Sequence, residues 1–313
     1  MCGIVGLLIR RPELRESLGE LAVPMLDCMG DRGPDSAGLA VFDQQVGLAG
    51  LGFSLYWQDG VPDWDAVLEH HREAFGESGD VTLDANGDNA LLRSRAAASA
   101  VVGWLSDHWR CVDLLSVGQS IRLFKDEGHP REIAARYRFE SLTGSHLVGH
   151  TRMATESIVS PAHAHPFTAG EDFCLVHNGS LSNPNSVRRR LQRRGIRFET
   201  DNDTEAGCRY LEWRMREGDS LEEAIESSFA ELDGFFTFLM ATAEKMVLVR
   251  DAFACKPAVV AETDDYVAVA SEFRALAHLP GVAQADVYEP APKVIHSWSV
   301  VEAGASQSTA VVS

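Results

Sequence analysis

The first residues of the chain constrain its fold more than any other segment. Cys2 to Ile9 is a nearly continuous apolar run that ends at Arg10 and Arg11. Such a run predicts a buried strand, and it is too short and wrongly flanked for a signal peptide or a membrane-spanning helix. A strand this early ties down a terminus that normally frays. We therefore expect a functional reason for holding the chain start in the core.

Strand patterns occur towards both ends of the chain, with helical patterns between them. Strands are predicted at 39–42 and 46–56, which we expect to pair as a hairpin, and at 146–150, 173–177, 235–242, 246–250, 258–261 and 266–270. Helices are predicted at 14–29 and 64–75, from 90 to 109, and after Asn183, Asp203 and Ser220, where Glu223 completes a capping-box pattern. This distribution predicts an α+β fold of two antiparallel sheets covered by helices, and not alternating βαβ units.

Residues 57 to about 145 differ in character from the flanking sequence, with helical patterns and a polar stretch rich in Gly, Asp and Asn at 76–89. We interpret them as a largely helical insertion in a single domain that spans residues 1–290. Residues 291–313 are interpreted as a C-terminal tail.

Charge and cysteine usage exclude several classes of function. The 313 residues contain 28 Lys and Arg against 46 Asp and Glu, a formal net charge of −18 that repels nucleic acid backbones and anionic membranes. The six cysteines include no C-x-x-C pair, which argues against a metal site or a disulfide framework. His70 and His71 would point apart on a helix, so we expect them to be solvated and not metal ligands. We expect a cytoplasmic protein without a metal.

Cys2 has a position that suits a particular chemistry. Removal of Met1 would leave one residue with both a thiol and a free α-amine. The amine titrates at about 7.7 to 8.0 and the thiol at about 8.5, so the amine could act as base for the attacking sulfur. Taken alone, a cysteine at this position is more readily explained by chance.

Six short motifs follow one another along the chain: Cys2-Gly3-Ile4-Val5-Gly6, Arg32-Gly33-Pro34-Asp35-Ser36, His150-Thr151-Arg152-Met153-Ala154-Thr155, His165-Pro166-Phe167, His177-Asn178-Gly179 and Asp203-Thr204-Glu205. Together and in this order they resemble the class II glutamine amidotransferases. The resemblance covers about 2–56 and 146–275 and leaves the insertion unexplained. It implies the four-layer αββα sandwich of the N-terminal nucleophile hydrolases, which agrees with the strand and helix pattern.

The resemblance implies a role for each matching residue in the attack of Cys2 on the side-chain amide of glutamine. The Asn178 side chain and the Gly179 backbone N–H would hold the oxyanion, for which preorganised donors are needed. Arg152 would bind the substrate carboxylate with its planar fork, and Asp203 the substrate ammonium. His177 and Arg32 would belong to the substrate pocket, Arg32 in support of Cys2.

Each of these residues also has a structural interpretation. Asn178-Gly179 is the sequence of a type I′ hairpin turn, Arg152 could form a surface ion pair, and Asp203 could be a helix N-cap. His150 and His165 are expected to be hydrogen-bonded scaffold and not catalysts. Met153 departs from the resemblance, because an aromatic residue is common at that position. Ser271-Glu272 is expected to be structural only.

The resemblance is strongest to the stand-alone amidotransferase subunits of glutamate-synthase-like complexes, including the amidotransferase component of N-methylglutamate synthase. It implies a hetero-oligomer in which L-glutamine is hydrolysed through a Cys2 thioester and ammonia passes to synthase subunits. FMN and iron-sulfur clusters are then expected in those partners, and no cofactor in this chain. Two alternatives remain open: a stand-alone amidase acting on γ-glutamyl compounds, and a non-catalytic assembly protein that retains the fold and keeps Met1.

Overall fold

A computed structural model describes residues 2–43, 50–76, 81–154, 159–300 and 309–311. Its helices are α1 (Leu18–Gly30), α2 (Trp64–Phe75), α3 (Ala98–His108), α4 (Pro130–Arg136), α5 (Pro184–Gln192), α6 (Asp203–Arg216) and α7 (Leu221–Glu231). None of the helices within these ranges is long and apolar enough to cross a membrane.

The strands are β1 (Gly3–Ile9), β2 (Ser36–Phe42), β3 (Leu51–Trp57), β4 (Thr82–Asn86), β5 (Asn89–Ser94), β6 (Val112–Gly118), β7 (Ile121–Glu127), β8 (His146–Arg152), β9 (Phe167–Thr168), β10 (Phe173–Leu181), β11 (Gly234–Thr242), β12 (Lys245–Arg250), β13 (Val259–Glu262), β14 (Tyr266–Ala270), β15 (Asp286–Tyr288), β16 (Ile295–Ser299) and β17 (Thr309–Val311). They form a seven-stranded sheet in the order β15-β13-β14-β1-β8-β2-β7, a six-stranded sheet in the order β17-β16-β12-β11-β10-β9, and a four-stranded sheet in the order β4-β5-β3-β6.

Strand β1 lies in the middle of the seven-stranded sheet, as its apolar sequence predicts. It pairs antiparallel with β8 on one side, where Gly3 faces Thr151, and with β14 on the other, where Val5 faces Ala270. All seven of its residues are buried. The chain start is therefore anchored by strand pairing on both sides and is not a frayed end.

Three clusters of buried side chains show how the two larger sheets and the helices pack. The first joins one face of the seven-stranded sheet to α1 and α4, for example through Leu7 and Met25. The second fills the space between the two sheets and includes Ile4 and Leu248. The third joins the other face of the six-stranded sheet to α5, α6 and α7. Residues of β1 alternate between the first two clusters, as the period of a strand requires.

The middle of the chain differs from the predicted helical insertion. Residues 51–118 contain α2 and α3, but they are organised around the four-stranded sheet, whose buried face packs on both helices through residues such as Leu92 and Trp104. The end of the polar stretch belongs to the β4–β5 hairpin, in which Asn86 faces Asn89 across the turn and Gly87 has φ 62°. Strand β7 then returns to the seven-stranded sheet beside β2.

Three further predictions for this region differ from the structure: a hairpin of the two strands at 39–56, a solvated His71, and the start of the helix predicted from residue 90. Strand β2 pairs with β7 and β8, and β3 pairs with β5 and β6, so the two do not form the expected hairpin; residues 44–49 between them lie outside the described ranges. His71 is not solvated: it is 3% exposed and packs against Phe75 and Trp104. The helix predicted from residue 90 is shortened, because its first residues belong to β5.

The segment interpreted as a tail contributes to the fold. Strand β16 pairs with β12 at the side of the six-stranded sheet, with Met246 facing Trp298. Ile295 and Trp298 are each 3% exposed. An apolar alternation over only five residues is too weak a signal to separate this strand from a tail.

Candidate active site

Cys2 lies at the start of β1, half-buried, with its backbone held from two sides. The Arg32 Nε donates to the Cys2 carbonyl at 3.0 Å, and the Asn178 Nδ2 donates to the same oxygen at 3.3 Å. The Cys2 thiol lies 4.0 Å from the Met153 carbonyl. The structure thus brings Cys2, Arg32 and Asn178 together although their motifs are far apart in the chain.

Asn178 and Gly179 lie inside β10 and do not form a turn. They face Thr237 and Phe236 of β11, so the hairpin-turn interpretation is wrong. Gly179 has φ 150°, and a Cβ at this position would lie 1.8 Å from the Phe235 carbonyl oxygen. Only glycine fits there, because the Phe235 carbonyl and the His177 ring occupy the space that a side chain would need.

The Arg32–Ser36 turn packs directly against the end of β8. A Cβ on Gly33 would lie 2.5 Å from the Thr151 carbonyl carbon, so glycine permits the close approach. The Asp35 carboxylate accepts from the Ala154 backbone N–H at 2.8 Å. Arg32 also forms an ion pair with Glu272. These contacts hold the guanidinium of Arg32 within hydrogen-bonding distance of the Cys2 carbonyl.

Arg152 lies beside the nucleophile on the neighbouring strand. Because Gly3 faces Thr151, the next residue of β8 is placed opposite Cys2. Arg152 is 5% exposed and faces Ser36 of β2 on its other side, so it is not a surface residue as the ion-pair interpretation required. A buried arginine next to an open thiol suits recognition of a carboxylate.

Asp203 and His177 lie on the other side of β10 from Cys2. The N-cap of α6 is Asn202, whose side chain accepts from the Thr204 N–H at 2.8 Å, and Asp203 is the first helical residue. The Asp203 carboxylate accepts from the Leu181 N–H at 2.8 Å and lies 4.0 Å from the His177 Nδ1. Arg32 and Asn178 bond the Cys2 carbonyl directly, whereas His177 bonds the Thr204 hydroxyl and connects through it to His165.

Three buried histidines, His150, His165 and His177, lie between Asn178 and the start of α6. The His150 Nε2 lies 3.1 Å from the Asn178 Oδ1, and the rings of His150 and His165 are in tilted contact with centroids 4.1 Å apart. His165 Nε2 and His177 Nδ1 both bond the Thr204 hydroxyl, at 2.9 and 3.0 Å. Burial lowers the pKa of His150 to about 3 and lowers the pKa of His165 well below its ordinary value.

The pKa of His177 is also lowered, chiefly by burial, against the opposing charge of Asp203. All three rings are therefore neutral at neutral pH. The scaffold role expected for His150 and His165 agrees with this geometry, whereas His177 was expected in the substrate pocket. Within the described ranges, no three His, Cys, Asp or Glu side chains are grouped as metal ligands would be.

Ser271, expected from the sequence to be structural only, touches the site directly. Its hydroxyl accepts from the Ile4 backbone N–H at 2.9 Å and from the Asn178 Nδ2 at 3.0 Å. Glu272, the next residue, accepts from Arg32. In the sequence, the feature that could have indicated this contact is the position of the Ser-Glu pair, which directly follows the apolar strand β14.

Comparison with known proteins assigns the chain to one family. Residues 150–278 match the model of the glutamine amidotransferase domain. The chain is 44% identical over 301 residues to the glutamine amidotransferase-like protein GlxB of Rhizobium meliloti, covering 95% of this chain and 98% of that protein. It is 33% identical over 305 residues to a putative glutamine amidotransferase of Methanothermobacter thermautotrophicus, covering 93% and 97%.

A solved structure supports the same fold at lower identity. Glutamine phosphoribosylpyrophosphate amidotransferase from B. subtilis superposes with a TM-score of 0.60 at 19% identity, over 95% of this chain and 47% of that one. At this identity the likeness concerns the fold alone. This chain spans about half the length of that structure.

Proposed function

Because the chain belongs to the class II glutamine amidotransferases, we propose that it hydrolyses the side-chain amide of L-glutamine through a thioester on Cys2. One observation carries the proposal: the Asn178 Nδ2 lies 3.3 Å from the Cys2 carbonyl, which places the thiol-bearing residue beside a buried amide donor. The packing of two sheets between outer helices supports the four-layer fold of the N-terminal nucleophile hydrolases.

The proposed reaction begins after removal of Met1. The free α-amine of Cys2 takes the thiol proton, and the sulfur attacks the carboxamide carbon of glutamine. The oxyanion that forms is held by the Asn178 side chain and the Gly179 N–H. Collapse of this intermediate breaks the carbon–nitrogen bond, the amine returns the proton, and ammonia leaves. Water then attacks the thioester, which releases glutamate and restores the thiol.

We propose that the substrate is held at its amino-acid end by two opposite charges. Arg152, buried opposite Cys2, pairs with the α-carboxylate, and Asp203, whose side chain is 26% exposed, accepts from the α-ammonium. His177 supports Asp203, and Arg32 supports Cys2 through its carbonyl. This grip selects a free glutamyl end and places the distant amide at the sulfur.

We further propose that ammonia passes to a glutamate-synthase-like partner, with N-methylglutamate synthase as the specific candidate. The motif resemblance to the stand-alone amidotransferase subunits of glutamate-synthase-like complexes supports this step. FMN and iron-sulfur clusters belong to the partner subunits in this proposal. The insertion at residues 57 to about 145, which contains most of the four-stranded sheet, is the candidate docking surface.

The decisive experiment compares glutamine hydrolysis by the wild type, Cys2→Ala and the control Cys111→Ala, each with and without synthase-like subunits from the native source. Cys111 is another free cysteine, half-buried in the four-stranded sheet unit. We expect Cys2→Ala to abolish hydrolysis without loss of stability, and Cys111→Ala to retain it. Mass spectrometry of the mature protein should show Cys2 as the first residue.

Three outcomes would contradict parts of the proposal. A retained Met1 with no hydrolysis under any condition would favour the non-catalytic assembly protein. Turnover of γ-glutamyl conjugates far above that of glutamine would favour the amidase. Hydrolysis by a chain that co-purifies with no synthase-like protein would remove the partner while leaving the chemistry intact.

A further inference from the structure

The contact between His150 and Asn178 has only one chemically consistent orientation. The Cys2 carbonyl oxygen can only accept, so the Asn178 atom that lies 3.3 Å from it must be Nδ2. The other end of the amide, Oδ1, then faces His150 Nε2 at 3.1 Å. The two ends of the Asn178 amide are thus distinguished by their neighbours.

The same reasoning determines the proton position on His150. The Asn178 Oδ1 only accepts, so His150 Nε2 must carry the hydrogen. The ring is neutral because burial lowers its pKa to about 3, and a neutral imidazole carries one N–H. Among the described residues Nδ1 has no hydrogen-bond partner, in agreement with a bare nitrogen on that side.

The surroundings of His150 hold its ring in place. The ring is fully buried and packs at a tilt against His165, which is itself bonded to the Thr204 hydroxyl at the start of α6. The Asn178 Nδ2 is held from the far side by the Ser271 hydroxyl at 3.0 Å. The amide therefore has little freedom to rotate away from Cys2.

We propose that His150 is a positioning residue for the oxyanion donor: by donating Nε2–H to the Asn178 Oδ1, it keeps the Asn178 Nδ2 hydrogens directed at the Cys2 site. This inference rests on the proposed hydrolysis of glutamine. Donation to an amide oxygen also polarises the amide and strengthens its N–H groups as donors. His150 is a poor proton acceptor, because burial lowers its pKa to about 3 and disfavours the charged ring.

The structure offers a matched control on the same strand. His146 lies four residues before His150 on β8, hence on the same face, and it is also fully buried. Its Nε2 donates to the Thr242 carbonyl at 2.8 Å, away from Cys2 and Asn178. Loss of either imidazole leaves a similar cavity, but only His150 adjoins the oxyanion donor.

The kinetic test compares His150→Ala, His150→Gln and His146→Ala. We expect His150→Ala to lower kcat by about tenfold to a hundredfold with KM changed by no more than about twofold, because the lost contact acts on the transition state. His150→Gln should recover most of kcat, since its amide N–H can reach the Asn178 Oδ1. His146→Ala should keep kcat within about twofold of the wild type. Equal losses in His150→Ala and His146→Ala would overturn the proposal.

A double-mutant cycle tests whether His150 acts through Asn178. In an Asn178→Ala background, His150→Ala should lower kcat no further. Independent, multiplying losses would show that His150 contributes by another route and would overturn the proposal.

A measurement that does not need activity separates this inference from the proposed function. In protein labelled with ¹⁵N-histidine, NMR should show His150 protonated at Nε2 and bare at Nδ1, with no titration between about pH 5 and pH 8. A protonated Nδ1, or an inflection near the ordinary histidine pKa, would contradict the contact. Absence of glutamine hydrolysis by the wild type under all conditions would instead contradict the proposed function.

Discussion

Asn178 uses all of its side-chain hydrogen-bonding groups in the resting structure. Its Nδ2 donates to the Ser271 hydroxyl at 3.0 Å and to the Cys2 carbonyl at 3.3 Å, and its Oδ1 accepts from His150. The bond to Cys2 is the longer of the two donations. We infer that the substrate oxyanion replaces this bond, so that the donor is already oriented when the charge develops.

Substitution of Asn178 tests this at the scale of one residue. We predict that Asn178→Ala lowers kcat for glutamine hydrolysis by about a hundredfold to a thousandfold with little change in KM, as loss of an oxyanion donor does elsewhere. The control is Asn86→Ala. It removes a hydrogen bond of 2.9 Å to the Tyr137 carbonyl, and Asn86 lies in the four-stranded sheet, which contains none of the proposed site residues. A kcat unchanged in Asn178→Ala would contradict the oxyanion role.

The N-terminus of α6 is the element that holds Asp203, the proposed partner of the substrate ammonium. It begins at Asp203, and the Asn202 side chain caps it by accepting from the Thr204 N–H. Thr204 in turn bonds two of the buried histidines. A loosened cap would therefore displace Asp203 and Thr204 together.

Removal of this cap should affect substrate binding more than chemistry. We predict that Asn202→Ala lowers the free energy of unfolding by about 1 kcal/mol and raises KM for glutamine, with kcat less affected. Ser220→Ala is the matched control, because it removes the capping box of α7 at a similar loss of stability. An equal rise of KM in both variants would show that the effect reflects stability and not the position of Asp203.

At the scale of the whole molecule, several histidines are buried in the neutral form. Burial lowers the pKa of His146 to about 4 and of His150 to about 3. Histidine in an unfolded chain titrates at about 6.5. Between these values the unfolded chain binds a proton at each position and the folded chain does not. The contribution of these neutral histidines to the free energy of unfolding is therefore fully present above about pH 6.5. It is lost progressively as the pH falls towards their lowered pKa values.

The predicted outcome is a free energy of unfolding that decreases from about pH 6.5 towards pH 4, by up to about 1.4 kcal/mol per pH unit for each such group. Urea unfolding at several pH values measures it. His146→Gln retains a donor for the Thr242 carbonyl but cannot titrate, so its stability should fall less steeply with decreasing pH than that of the wild type. Identical slopes would contradict a neutral buried His146.

Local chemistry made part of the fold predictable. The apolar run of β1 and the capping box at Ser220 depend on neighbouring residues only, and the structure confirms both. The β4–β5 hairpin was not predicted although Asn86-Gly87 is a hairpin signal, because β4 is largely polar and lacks the apolar alternation of a strand. Strand β16 was missed because five residues give little periodicity.

The sequence by itself determined the chemistry that is available: a thiol that can become terminal, an amide donor followed by glycine, an arginine with a planar fork and an acid at a predicted helix start. These are properties of residue types and of short spacings, and the six motifs carry them. Only the tertiary structure decided which of these groups meet. Contacts such as Asn178 to Cys2 and Ser271 to Ile4 join residues 176 and 267 positions apart, and they depend on strand register and on the packing of two sheets, which no local pattern encodes.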